Sequence, residues 1–185
     1  MNILVIFIVM ISLLTYPMEG KAMSPYRPEV LEFHSKDKRH ALFIPKPPKT
    51  PTLEWAGKLH TWPKIQNPHP NRVLFNEPRE QIILIGGLGD PGVNLGDLFI
   101  HSLSGDLVGY VELKKEFPEL ESMSRQWSKR GNFPWVAGVR LAANGTHLRI
   151  WICRKLIASV DLGSFAVSIE ASTDPEEWSG GIDAG

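Results

Sequence analysis

The chain has 185 residues and a single cysteine, and 20 Lys and Arg balance 20 Asp and Glu to a formal net charge of zero. This length suits one domain with a hydrophobic core, and a lone cysteine excludes an intrachain disulfide. The charge is unevenly spread, with residues 23–80 net basic and residues 81–185 net acidic. This asymmetry is too weak to indicate the basic domain or concentrated patch of a nucleic-acid-binding protein, so no nucleic-acid partner is predicted.

The N-terminal segment is typical of a secretory signal. Residues 3–14 are apolar except for one serine, Pro17 then interrupts the run, and Gly20 and Ala22 supply the small residues that a signal peptidase prefers. Twelve residues fall short of the roughly twenty that a membrane-spanning helix needs. We therefore predict a cleaved signal peptide over residues 1–22.

An uncleaved anchor is the alternative interpretation of this segment, because no Lys or Arg precedes the apolar run. In that case residues 3–16 would be the membrane contact of the protein. Both interpretations predict that the remaining chain lies outside the cytosol, either secreted, periplasmic or extracellular, or anchored and facing outward.

Residues 23–78 are rich in proline, which fixes φ and removes a backbone donor. We therefore expect an extended, Pro-rich N-terminal strap with only short pieces of regular structure. Phe43, Leu53, Trp55 and Trp62 are too apolar for a disordered arm, so the strap is expected to lie across the following domain.

Residues 79–178 carry strand patterns and are predicted to form a β-rich globular domain, followed by a flexible tail over residues 179–185. The expected strands and hairpins, which are short apolar or alternating runs between turn residues, cover residues 72–75, 81–85, 96–113, 136–142, 148–153, 156–162 and 165–171. Asn144-Gly145 predicts a type I′ hairpin turn. The fold class is thus mainly β, an antiparallel sandwich or sheet.

One α-helix is predicted near residues 118–130. Pro118 opens it, Lys129 and Arg130 end its last turn, and Gly131 closes it. Leu120, Met123 and Trp127 fall on one face, which we expect to pack on the sheet.

Residues 98–113 resemble residues 148–162 in pattern, as two β-hairpins do. Two such copies cannot close a propeller, which needs about four blades or more. The second copy, with Trp135, Asn144-Gly145 and Trp151 before Leu156-Ile-Ala-Ser159, also resembles a hairpin of the laminin-G-like and legume-lectin-like jelly rolls. This resemblance covers about 28 residues, departs from that family at Arg154-Lys155, and implies a β-sandwich.

No motif in the sequence predicts catalysis or cofactor binding. Residues 87–92 fit G-x-G-x-x-G, but no helix pattern follows, so a loop between strands is expected. The six histidines lack metal-ligand spacing, and a G-x-S-x-G nucleophile motif does not occur. We therefore predict no catalytic residues, no metal ligands and no cofactor.

Aromatic residues supply the candidate ligand-binding side chains. Trp55, Trp62, Trp135 and Trp151 could stack on a ligand or partner if they are exposed. Asn144-Gly-Thr146 is an N-glycosylation acceptor if the host is eukaryotic.

Three functions remain open from the sequence. The first is an exported, non-catalytic binding module with a protein or carbohydrate partner. The second is a hydrolase of extracellular or envelope polymers, with acids from residues 97–106 or 112–121, since paired carboxylates are invisible in sequence. The third is a single-pass anchored subunit of a larger assembly.

Overall fold

The computed structural model describes residues 29–66, 70–87, 96–118, 136–152 and 156–171. Within these residues the chain forms twelve strands: β1 Val30–His34, β2 His40–Pro45, β3 Thr52–Trp55, β4 Lys58–Thr61, β5 Pro70–Asn76, β6 Gln81–Gly87, β7 Asp97–Ser102, β8 Leu107–Glu112, β9 Val136–Leu141, β10 His147–Ile152, β11 Leu156–Asp161 and β12 Val167–Ala171. A short helix, α1 (Leu113–Glu116), follows β8, and a 3-10 turn (Glu77–Arg79) joins β5 to β6. The prediction of a mainly β protein is confirmed.

The strands form three four-stranded antiparallel sheets, each made of strands that are consecutive in the chain. We call β1–β4 the first sheet, β5–β8 the second sheet and β9–β12 the third sheet. Each is an up-and-down meander, the arrangement of a propeller blade. This local topology differs from the Greek-key connections of a jelly roll, so the resemblance to that family extends only to the hairpin pattern.

The second sheet lies between the other two, and β6 shows why. Side chains alternate between the faces of a strand: Ile82 and Leu84 pack towards the first sheet, whereas Ile83 and Ile85 pack towards the third. A strand buried on both faces appears in sequence as a continuous apolar run, which is the pattern of residues 82–85.

Two hydrophobic clusters hold this stack together. The first junction joins the first and second sheets through Leu42, Ile44, Leu53, Trp55, Trp62, Val73, Ile82, Leu84 and Phe99. The second junction joins the second and third sheets and α1 through Leu74, Ile83, Ile85, Leu98, Ile100, Val111, Leu113, Val136, Val139, Leu148, Ile150, Ile152, Ala158, Val160 and Leu162.

The described part of the Pro-rich segment does not form the extended strap that the sequence predicts. Residues 30–61 form the whole first sheet rather than an extended strap. The prolines permit this because they lie at strand ends and in connections, where no ladder donor is needed: Pro45 ends β2, Pro47, Pro48 and Pro51 lie between β2 and β3, and Pro70 begins β5. The boundary predicted at residue 79 falls in the turn between β5 and β6, which pair with each other, so the second sheet runs across it.

The hairpin turns fall where the sequence predicts them, although one differs in type. Gly105, between β7 and β8, has a φ of +88°. Between β9 and β10 the positive φ belongs to Gly145 (+68°) and not to Asn144, so the turn is not type I′. The Gly145 N–H donates to the Ala142 carbonyl over 2.8 Å, and Asn144 Oδ1 accepts the Thr146 N–H over 3.1 Å.

Other predictions fall on residues outside those described. These are residues 1–22, the helix after Pro118, Trp135, the Arg154-Lys155 turn, the tail over residues 179–185 and all but Gly87 of the glycine-rich motif.

The two similar sequence segments occupy different positions in their sheets. Residues 98–113 contain the third and fourth strands of the second sheet, whereas residues 148–162 contain the second and third strands of the third sheet. The likeness therefore reflects the common pattern of β-hairpins, and the repeated unit in the structure is the four-stranded meander.

Candidate functional site: a cleft between edge strands

A cleft of about 400 Å³ opens where the three sheets meet. All three sheets contribute to its lining, which consists of Ser35, Lys36 and Asp37 after β1, Val73, Leu74, Phe75 and Glu77 in and after β5, and Val139, Arg140 and Leu141 in β9. We call it the edge-strand cleft. Its volume lies in the range of small-ligand sites.

The strands at this cleft are sheet edges because the first strand of a meander pairs only with the second. β1, β5 and β9 each stand at the end of their sheet's strand order. Within the described residues each of them pairs on one side alone. An edge strand directs the N–H and C=O groups of every second residue away from its sheet. Among the described residues, no strand therefore pairs with the outward-facing backbone groups of β5 and β9, two strands that line the cleft.

The floor of the cleft is apolar and fixed in place by the two junctions. Val73 belongs to the first junction, and Leu74 and Val139 belong to the second. Phe75 and Leu141 pack against these clusters and are half-buried. The strand residues of the lining are thus held by the same contacts that stack the sheets.

The two acidic side chains of the cleft share one cation, Arg39. Arg39 forms an ion pair with Asp37, and its Nη2 lies 2.9 and 2.8 Å from the two carboxylate oxygens of Glu77. Ser35 Oγ donates to Asp37 Oδ1 over 2.7 Å. The hydrogen bond from Arg39 and that from Ser35 hold the pKa of Asp37 well below its usual range, so this carboxyl is ionised at neutral pH and is not a proton donor.

A buried histidine, His40, lies beside the Glu77 carboxylate. His40 is 2% exposed and its ring stacks on Trp55 with centroids 3.9 Å apart. The Ala56 N–H donates to His40 Nδ1 over 3.3 Å. The other ring nitrogen, Nε2, lies 3.1 Å from Glu77 Oε1 without forming a hydrogen bond to a described residue. His40 therefore joins the first sheet to the rim of the cleft.

Arg140 is a cation of the cleft lining, as Lys36 is. Its side chain is exposed, and among the described residues no hydrogen bond or ion pair engages its guanidinium. Arg149, the cross-strand neighbour of Arg140, pairs instead with Glu170 at 3.1 Å. Lys36, Arg39 and Arg140 thus exceed Asp37 and Glu77 by one positive charge at the cleft.

The tryptophans predicted to bind ligand are placed differently from that expectation. Trp55, Trp62 and Trp151 are 8%, 0% and 3% exposed, so their rings are not available for stacking on a partner. Trp62 Nε1 donates to the Leu103 carbonyl over 3.0 Å, and its ring stacks on His101. Trp55 and Trp62 join sheets because large aromatic rings supply much of the buried area of a core.

Asn144 lies in an exposed turn of the third sheet. Its side-chain oxygen accepts hydrogen bonds from Thr146, within the acceptor triplet itself. Modification at this residue in a eukaryotic host stays a prediction.

Two of the acids considered for a hydrolase lie together, but outside the cleft. Asp97 and Glu112 are directly opposite in the pairing of β7 and β8. Asp97 is 4% exposed, and burial raises its pKa. Burial, followed by the charge of Asp97, raises the pKa of Tyr110 to about 12. Glu112 forms ion pairs with Lys114 (3.2 Å) and Lys115 (2.8 Å).

In the part of the chain that the structure describes, no group of three His, Cys, Asp or Glu side chains could hold a metal ion. The helices among those residues are too short or too polar to cross a membrane.

Sequence reasoning missed Asp37, Glu77 and Arg140. They are ordinary surface charges in the sequence, and they come together only because three first strands meet. No protein-family model matches the chain, and a search of curated proteins found no similar sequence.

Proposed function

We propose that this protein is a non-catalytic interaction module that acts outside the cytosol and receives a protein or carbohydrate partner in the edge-strand cleft. The observation that carries the proposal is the convergence of all three sheets on one cleft with an apolar floor and a charged rim. Such a combination is typical of ligand sites. The location rests on the signal-like sequence of residues 1–22.

Binding is favoured over catalysis by the state of the acidic groups. Hydrogen bonds from Arg39 and Ser35 lower the pKa of Asp37, whereas a general acid at neutral pH needs a raised pKa. Asp97 has a raised pKa, but it does not line the cleft. The charged groups of the cleft therefore suit recognition by a complementary partner.

Site-specific photo-crosslinking in the native compartment tests the proposal. A benzophenone side chain replaces Lys36, at the cleft, or Lys58, which is exposed on β4 outside it. We expect a crosslinked species, identified by mass spectrometry, from position 36 and not from position 58. A glycan array probed with the purified protein covers carbohydrate partners. Equal crosslinking at both positions together with an empty array would refute the proposal.

Mass spectrometry of the mature N-terminus tests the location. A chain that begins after Ala22 supports export with cleavage, and an intact residue 1 in a membrane fraction supports the anchored form. An intact residue 1 in the cytosolic fraction would contradict both.

A further inference from the structure

We propose that the partner in the edge-strand cleft is an extended polypeptide segment that pairs with β9 and sets a carboxylate against Arg140. This inference rests on the proposed function and specifies the class of partner. It follows from three properties of the cleft: its backbone edges, its charge and its lack of an exposed aromatic platform.

The first property is the edge of β9. Its residues pair with β10 on one side, with Val139 opposite Ile150 and Arg140 opposite Arg149. On the other side no described strand pairs with it, and Val139, Arg140 and Leu141 form part of the cleft lining. An extended peptide can add to such an edge as a further strand, with main-chain hydrogen bonds supplying affinity. Few other ligands match a row of alternating N–H and C=O groups.

The second property is the charge. Asp37 and Glu77 share the charge of Arg39, and Lys36 and Arg140 add two positive charges to the lining, so the cleft has one positive charge in excess. Arg140 is exposed, and no hydrogen bond or ion pair with a described residue engages it. A carboxylate on the added strand would complement this guanidinium, which binds carboxylates through two parallel hydrogen bonds. A cationic segment would instead leave Arg140 facing a like charge, so an acidic peptide is the better match.

The third property separates a peptide from a sugar. Binding of a sugar by stacking needs exposed aromatic rings, and Trp55, Trp62 and Trp151 are buried. Of the described lining residues only Phe75 is aromatic, and it packs against the first junction. The apolar floor suits alternate aliphatic side chains of a strand.

The size of the cleft sets the length of the segment. The three β9 residues at the cleft span about 10 Å at roughly 3.3 Å per residue. About three to four residues of a partner strand therefore lie inside, with flanking residues outside.

The test uses the full chain and a displayed library of random ten-residue peptides. We expect selected peptides to share an Asp or Glu flanked at alternate positions by aliphatic residues. Synthetic versions should bind at least tenfold more weakly to Arg140→Glu than to the unmodified protein. The Lys58→Glu variant, which makes the same charge change on an exposed strand outside the cleft, should bind them unchanged. N-methylation of alternate backbone amides in the peptide should abolish binding.

Each other result overturns the inference. Selection of no peptide, of basic peptides, or of peptides insensitive to Arg140→Glu or to N-methylation excludes the proposed strand addition. Arg140→Gln removes the charge and keeps a side chain of similar size, so it controls for misfolding. It should weaken peptide binding by a smaller factor than Arg140→Glu and keep the unfolding midpoint of the unmodified protein. A cleft crosslink to a glycan, to a second copy, or to residues 1–28 of the same chain would also overturn it. The glycan result would leave the proposed function intact, whereas absence of any cleft-specific crosslink or glycan would remove both.

Discussion

The two junctions between the sheets differ in chemistry although both join neighbouring meanders. The first junction contains Trp55, Trp62 and Phe99, and His40 and His101 are buried beside it. The second junction consists of Leu, Ile, Val and Ala. Aromatic rings with polar atoms can fix orientation through hydrogen bonds, whereas an aliphatic cluster depends on shape and area. The comparison suggests that the first sheet is held by a few specific contacts and the third sheet by many equivalent ones.

The largest expected effect is the loss of Trp62. This side chain is fully buried, donates to the Leu103 carbonyl and stacks on His101 with centroids 4.9 Å apart. Trp62→Ala should lower the free energy of unfolding by about 3–5 kcal/mol, measured by urea denaturation. Trp62→Phe, which keeps a ring and loses the N–H donor, should cost less.

Ile150→Ala in the second junction supplies the comparison, with an expected loss of about 2–4 kcal/mol. It should lower the stability of all three sheets together if they unfold as one unit. A loss below about 1 kcal/mol for Trp62→Ala would contradict the idea that single aromatic contacts hold the first sheet.

The next effect concerns the close approach of the β7–β8 turn to the same tryptophan. Gly105 has a φ of +88°, and a Cβ there would lie 2.6 Å from Trp62 Cγ. Gly105→Ala should cost about 2–4 kcal/mol, from backbone strain together with overpacking. Gly57 has a φ of +79° and open space where a Cβ would lie, so Gly57→Ala measures the backbone strain without overpacking. This substitution should lower the free energy of unfolding by about 1 kcal/mol. Equal losses in the two variants would show that the turn does not depend on Trp62.

Sequence patterns predicted most strands because their signals are local. Residues 81–85 form a β-rich run that continues to residue 87 in β6, and the turns at Gly105 and Gly145 carry the residues that positive φ favours. The first sheet was missed because proline density was treated as a property of the whole segment. What matters is position: Pro45 ends β2 and Pro70 begins β5, where a missing N–H costs little.

The cleft could not be predicted from the sequence because its parts are distant in the chain. Asp37, Glu77 and Arg140 meet through the stacking order of the sheets, which no local pattern encodes. The tryptophans illustrate the opposite error, since an aromatic residue has the same appearance in sequence whether it binds a partner or joins two sheets. Trp62 is fully buried at the first junction, and only the pairing of the sheets reveals that role.

A smaller effect is expected in the pH dependence of the free energy of unfolding, through His101 beside the first junction. Burial lowers the pKa of His101 below 6.5, against weaker opposing effects of the Gly105 carbonyl and Asp106. The unfolded chain then binds more protons than the folded protein below about pH 6.5, so stability falls as pH decreases through that region, by at most about 1.4 kcal/mol per pH unit. Urea denaturation between pH 5 and 8 measures this slope.

His101→Phe keeps a ring beside Trp62 and removes the titrating group. The slope below pH 6.5 should therefore be smaller in this variant than in the unmodified protein. An identical slope in both proteins would assign the pH dependence to other groups.

The smallest expected effect is electrostatic and concerns the ion pair between Arg39 of the β1–β2 connection and Glu77 after β5. Arg39 and Glu77 form an ion pair at 2.8 Å, but their side chains are 59% and 41% exposed, so solvent screens the attraction. Glu77→Gln should reduce the free energy of unfolding by less than about 1 kcal/mol. The loss should shrink further at 1 M salt, because the Debye length falls to about 3 Å.

A hydrogen bond between uncharged groups of the second and third sheets serves as a control for the effect of salt. Asn76 is fully buried and its Nδ2 donates to the Gly145 carbonyl over 2.9 Å. The cost of Asn76→Ala, measured by urea denaturation at 0.1 and 1 M salt, should not change with salt, because a buried hydrogen bond between uncharged groups is not screened. If the Glu77→Gln cost were equally insensitive to salt, the first sheet would depend on the position of Glu77 against His40 and not on its charge. The contrast between the two junctions would then be one of packing alone.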